Sequence, residues 1–154
     1  MIKNGDYIMY SLHGACKVVG LEEREENNKV YYELVPQNNK VSKILVPVDN
    51  DKIRPILTRE EAEELLNSVE YIDAEWIPDN STRANTYNQI VKEGNSKEQL
   101  EVLRSLLRKQ REKGTRLTMQ DRKIIENTEK LLVSELSVVL GLEEKEVKKI
   151  ITMD

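Results

Sequence analysis

At Thr58 the apolar pattern of this 154-residue chain changes period, from two to about 3.6, and no other feature constrains the fold as much. Before it, short β-branched and aromatic runs alternate with polar turns. After it, leucine, isoleucine and valine recur at helical spacing. The switch predicts an α+β protein, with a small β module over residues 1–57 and a helical module over residues 58–154.

In the first half, Gly5 to Leu21 (GDYIMYSLHGACKVVGL) reads as two strands joined by a tight turn at Gly14, a residue free to take turn conformations that side chains resist. The second strand continues through Leu21 to Glu26 into the turn Asn27-Asn28, and Lys29 to Pro36 (KVYYELVP) makes the third. Another polar turn leads to Ser42 to Pro47 (SKILVP), and Ile53 to Ile56 (IRPI) supplies a short last strand. Five short strands in so little chain predict a small Tudor-like or SH3-like barrel.

In the second half, Thr58-Arg59-Glu60-Glu61 is a capping box that opens a short helix with Ala62, Leu65, Leu66 and Val69 inward. Tyr71 to Asn80, with Trp76, Pro78 and Asp79, has no period and reads as a connection. Asn80 or Ser81 is expected to cap the second helix, which stops at Gly94, and Ser96 the third, which ends near Lys113-Gly114. Thr118 opens the longest helix, Gly141 ends it, and residues 143–152 close the chain as a short one. The expectation is a compact bundle of about five helices.

Composition removes several kinds of chemistry. With no Phe and one Trp, the cores must be built from Leu, Ile, Val and a few Tyr. The single Cys16 and single His13 make neither an internal disulfide nor a zinc-holding set, and His13 sits in a predicted turn without a nucleophile motif. Carboxylate pairs such as Glu60-Glu61 are adjacent residues, which do not face one another as an acid-base dyad must. No enzyme, cofactor or metal is expected. No apolar run approaches the ~18 residues that span a bilayer, and the N-terminus lacks a signal-peptide layout, so a cytoplasmic protein without a membrane partner is expected.

Charge is unevenly placed. Arg104 to Lys123 holds eight basic residues against Glu112 and Asp121, a local +6 in a chain whose formal total is -4. Arg104, Arg108 and Arg111 are read as one positive stripe opposite Leu100, Leu103 and Leu107, and Arg116, Arg122 and Lys123 lie around the following turn and helix start. The stripe alone reads equally as a solvated helix face. Together with the second group it reads as a surface for phosphates, since gathered charge acts locally whatever the net charge.

The pattern G-D-x-I-x-Y-x-x-H-G-A-x-x-V from Gly5 to Val18, with YYELVP, ILVPVDN and IRPIL, resembles the N-terminal module of the CarD/CdnL family of bacterial transcription regulators, a module shared with transcription-repair coupling factors. The family usually has proline where Ser11 stands and a small residue where Cys16 stands. The helical half is similar too, through the helix entry at Arg83, the Gly94-Asn95 stop and Leu117 to Lys123 (LTMQDRK). The resemblance implies a regulator acting as a monomer. Its barrel would bind the β subunit of RNA polymerase, with Arg24, Glu25, Glu26 and Leu45 at the contact; some members carry arginine at the position of Leu45. Its helical domain would bind promoter DNA upstream of the -10 element and modulate open-complex stability, including at rRNA-type promoters. Arg83 and Arg122 match family residues that touch DNA. The family also has a tryptophan that wedges into the minor groove, but Trp76 lies about four residues farther from the Gly94 stop than that pattern expects, so Trp76 reads either as the wedge or as an anchor on the bundle. From a different class, a Tudor-like protein-binding module with no DNA contact stays open.

Overall fold

The computed structural model describes residues 2–153, and the chain separates into two compact units, Met1–Ile56 and Leu57–Asp154.

The first unit is a five-stranded antiparallel sheet in the order β4-β3-β2-β1-β5: β1 (Tyr7–Tyr10), β2 (Ala15–Arg24), β3 (Lys29–Pro36), β4 (Ile44–Pro47) and β5 (Ile53–Pro55). The β1-β2 link is a turn of 3-10 helix, Ser11–His13, closed by Gly14 at φ 76°. Ser11 itself sits at φ 43°, where a proline ring cannot go. At the next link Asn28 takes φ 60° while the Asn27 carboxamide accepts from the Lys29 N–H (3.1 Å), the turn chemistry asparagine offers. A bulge between Val18 and Gly20 shifts the register of β2 against β3. Ile8, Cys16, Val18, Leu34 and Val46 form the buried core of this unit. Burial pushes the Cys16 thiol up to about 12, so it stays a neutral packing group.

Among the described residues the second unit has five helices: α1 (Arg59–Asn67), α2 (Asn80–Glu93), α3 (Ser96–Arg111), α4 (Met119–Leu140) and α5 (Glu144–Ile151). Helix α4 packs against the other four, and its Ile124, Leu131, Leu132 and Leu136 meet Leu100, Leu103 and Leu106 of α3 in the core. Thr58 and Glu61 close the expected capping box, as do Thr118 and Asp121, and Gly141 ends α4 in the left-handed conformation at φ 66°.

Two caps lie one residue earlier than expected. Asp79, rather than Asn80 or Ser81, caps α2 by accepting from the Thr82 N–H (2.9 Å). Asn95, rather than Ser96, caps α3 and forms a capping box with Glu98. Ser96 is buried instead, and its hydroxyl donates to Glu135 of α4, which also accepts from the Leu57 N–H (3.0 Å). Helix α3 stops at Arg111, slightly before the expected Lys113-Gly114, and Gly114 follows at φ 87°.

Candidate nucleic-acid interface

The long connection between α1 and α2 is anchored by Val69 and Ile72 in the core, with Trp76 and Ile77 packed against it, and several of its carbonyls are taken up by side chains of the helices beside it. Tyr87 donates to the Glu75 carbonyl (2.8 Å), Arg83 to those of Ile77 (2.9 Å) and Pro78 (3.3 Å), and Arg108 to that of Glu70 (3.2 Å). Arg108 also pairs with Asp73 (2.8 Å).

Arg83 is the hub. Only 2% exposed, it donates from Nε to Asp121 Oδ1 (2.8 Å), from a terminal nitrogen to Asp121 Oδ2 (2.7 Å) and to Asn80 Oδ1 (2.9 Å). With the two carbonyl bonds, five donated bonds match the five N–H groups of a guanidinium. Asp121 in turn accepts from the Thr118 N–H (2.9 Å), so one buried carboxylate caps α4 and locks its start to the start of α2. Burial pushes this carboxyl up, but the bonds from Arg83 and Thr118 outweigh burial and hold it below the usual aspartate value; the same pairing raises the Arg83 pKa.

Two expectations for the arginines are corrected. Arg83, expected at a DNA contact, is turned inward with its donors spent inside the unit. Arg104, expected on a positive face opposite the leucines, is 2% exposed and donates to the carbonyls of Ile151 (3.1 Å) and Met153 (2.5 Å). It falls four residues after Leu100 and three before Leu107, a spacing that already places it among the apolar side chains. Arg111 follows it, donating to Thr152 and to Met153 (3.2 Å). The supposed stripe is thus a row of carbonyl clamps, holding the 68–79 connection at one end and the C-terminal end of α5 at the other, where exposed carbonyls favour a cation.

Trp76 is half-buried and packs against the helical core, with the Arg83 guanidinium 4.4 Å and the Lys109 ammonium 5.3 Å from its ring centre. This is the surrounding of an anchor. The outward cations of this stretch are Lys113, Arg116, Arg122 and Lys123, all exposed and without an ion pair among the described residues. Sequence reading missed Asp121 as the organiser of this region, although Thr118-x-x-Asp121 is itself a capping signal.

In the β unit, Glu22 pairs with Tyr31, Tyr31 with Pro47, and Glu33 with Leu45, so alternation brings Glu22, Arg24, Tyr31 and Leu45 to one face of the sheet. Arg24 is half-exposed, 3.8 Å from Glu22 and 5.1 Å from the centre of the Tyr31 ring. Glu25 and Glu26 stand exposed at the hairpin tip, and Leu45 lies 37% exposed on the edge strand β4.

Comparison with known proteins decides the family. Residues 58–152 match the CarD C-terminal domain, and residues 2–57 match the CarD-like/TRCF RID domain. The chain belongs to the CarD family. It is also 27% identical over 153 residues to YdeB of Bacillus subtilis (strain 168), named as a candidate transcription factor, covering 96% of this chain and 98% of that one. The CarD-family chain is a transcription regulator, of a family that is not an enzyme class, and its RID domain points to RNA polymerase as a partner. Among the described residues no helix is long and apolar enough to cross a membrane.

Proposed function

We propose that this CarD-family regulator works in the cytoplasm by binding the RNA polymerase β subunit through residues 1–57 and promoter DNA upstream of the -10 element through residues 58–154, shifting the stability of the open complex. The observation that carries the DNA part is the contrast among cations: Arg83, Arg104, Arg108 and Arg111 are used within the fold, whereas Lys113, Arg116, Arg122 and Lys123 are left exposed in the loop before α4 and in its first turns. Unpaired cations on a rigid mount suit phosphates, whose contacts position a protein on the duplex. Arg83 serves this surface as a positioning residue, through Asp121. For the polymerase part, an edge strand beside Arg24, Tyr31 and Leu45 supports strand addition, with main-chain bonds giving affinity and the flanking side chains specificity. Glu25 and Glu26 border the same contact from the hairpin tip.

The test is binding of the full chain to a promoter duplex over a range of salt, alone and with polymerase. The expected result is weak, steeply salt-dependent binding alone and a longer-lived open complex with polymerase. Polymerase capture with no salt-dependent DNA binding overturns the DNA part and leaves a protein-binding module.

A further inference from the structure

Two residues, Ile56 and Leu57, separate the end of β5 at Pro55 from Thr58, the cap of α1. So short a join has little slack, and its second half is tied down. Leu57, the first residue of the helical unit, donates its backbone N–H to Glu135 Oε2 (3.0 Å), and Thr58 donates its own to Glu61 Oε1 (2.9 Å). Two successive peptide groups are thus held by carboxylates, one from the first turn of α1 and one from α4, at a sequence separation of 78. Glu135 is fully buried, and its other oxygen accepts from the Ser96 hydroxyl at the start of α3. The Leu57 side chain packs against the core of the same unit.

A carboxylate is a costly choice for such a place. An apolar side chain of similar size would serve core packing at least as well, whereas a carboxylate adds two acceptors of fixed direction. Both are aimed inside the unit, so Glu135 touches neither DNA nor polymerase. We propose that Glu135 is a positioning residue of this regulator: by holding Leu57 it fixes where the connecting chain enters the helical unit, and so couples polymerase binding by residues 1–57 to DNA binding by residues 58–154. This inference rests on the two-contact function proposed above. When two binding modules share one chain, the second contact forms at an effective concentration set by the length and stiffness of the join. Slack in the join therefore weakens the combined complex and leaves each single contact as it was.

The experiment compares the full chain with three variants. Glu135→Met keeps most of the volume and removes both acceptors. Glu135→Gln keeps one acceptor for the Leu57 N–H, while the Ser96 hydroxyl can turn to accept from the new amide. Two glycines inserted between Ile56 and Leu57 lengthen the join and leave the helical core unchanged. Four quantities are read: hydrogen exchange at the Leu57 amide, polymerase capture, the salt slope of DNA binding without polymerase, and open-complex lifetime. Glu135→Met and the insertion should each shorten the lifetime about tenfold with capture and salt slope unchanged, and Glu135→Gln should keep it. Exchange at Leu57 should speed up in Glu135→Met and stay slow in Glu135→Gln. If Glu135→Met frees the Leu57 amide but keeps the lifetime, or if Glu135→Gln shortens the lifetime while Leu57 stays protected, the coupling role of Glu135 falls and the two-contact function stands. Should Glu135→Met fail to fold, the insertion carries the test, and an unchanged lifetime there overturns the coupling role as well. If the unmodified protein leaves the open complex no longer-lived than polymerase alone, or binds DNA without salt dependence, the two-contact function falls and this inference with it.

Discussion

Arg83 and Asp121 form the pair on which the helical unit's proposed surface depends, and its energetics follow from burial. Removing one partner leaves the other charge buried and uncompensated, so Arg83→Leu should cost about 3 to 5 kcal/mol and Arg83→Lys most of that, because an ammonium cannot span Asp121, Asn80 and two carbonyls. Chemical denaturation of each variant measures this. The pair also sets an acid limit. The folded-state pKa of Asp121 is depressed, so its contribution to stability is fully present above the ordinary aspartate value near 3.8 and is lost as pH falls through the lower folded value. Asp121→Asn should therefore lower stability at neutral pH and flatten the acid limb of the unfolding curve. At Trp76 the anchor geometry predicts that Trp76→Ala costs about 3 kcal/mol, the lower end for a large aromatic because the ring is half-buried, and lowers the melting temperature. A stable Trp76→Ala protein with a shortened open-complex lifetime would return the wedge role to Trp76.

Helix ends show how neighbouring polar residues divide their work. Asn95 caps α3 from outside, whereas Ser96 donates inward to the buried Glu135, so the two should not be equivalent. Asn95→Ala should cost about 1 kcal/mol, a normal cap, and Ser96→Ala about 1.5 to 3, since it takes a donor from a buried carboxylate. Thermal melts of the two single variants distinguish them, and equal losses would contradict the assignment. Helix α5 is eight residues long, too short to hold by itself, and depends on Val147 and Ile151 in the core and on Arg104 and Arg111 at its end. Arg104→Met keeps much of the volume but removes the carbonyl bonds. Hydrogen exchange should then speed up in α5 before the rest of the unit opens.

For the molecule as a whole, the decisive quantity is how few cations are left for DNA. Four outward cations, Lys113 with Arg116, Arg122 and Lys123, neutralising about four phosphates predict a slope of log affinity against log salt of about -3.6. Reversing Arg122 and Lys123 should reduce it to about -1.8, whereas reversing Arg104 should unfold α5 rather than act on DNA alone. Capture of polymerase is expected to reside in residues 1–57 and to weaken in Arg24→Glu, which loses the contact with Tyr31 and gains repulsion from Glu22. Unchanged capture by that variant would remove Arg24 from the interface.

What the sequence by itself determined is the set of features encoded over a few residues: the change of period at Thr58, the strands flanking Gly14 and the Asn27-Asn28 turn, the boxes at Thr58 and Thr118, and the stop at Gly141. Each rests on steric or hydrogen-bond preferences that act within one turn or one hairpin. The family was legible for the same reason, since its motifs are short runs of strand and turn such as YYELVP and ILVPVDN. Tertiary structure decided the fate of the charges. Whether Arg104 faces water depends on what packs over α3, and Arg83 meets Asp121 at a sequence separation of 38, a distance no local pattern reports. A cation in a sequence is only a charge on a long, flexible stem; the fold determines whether that stem reaches a carbonyl, a carboxylate or solvent, because burying it is tolerable only where partners wait.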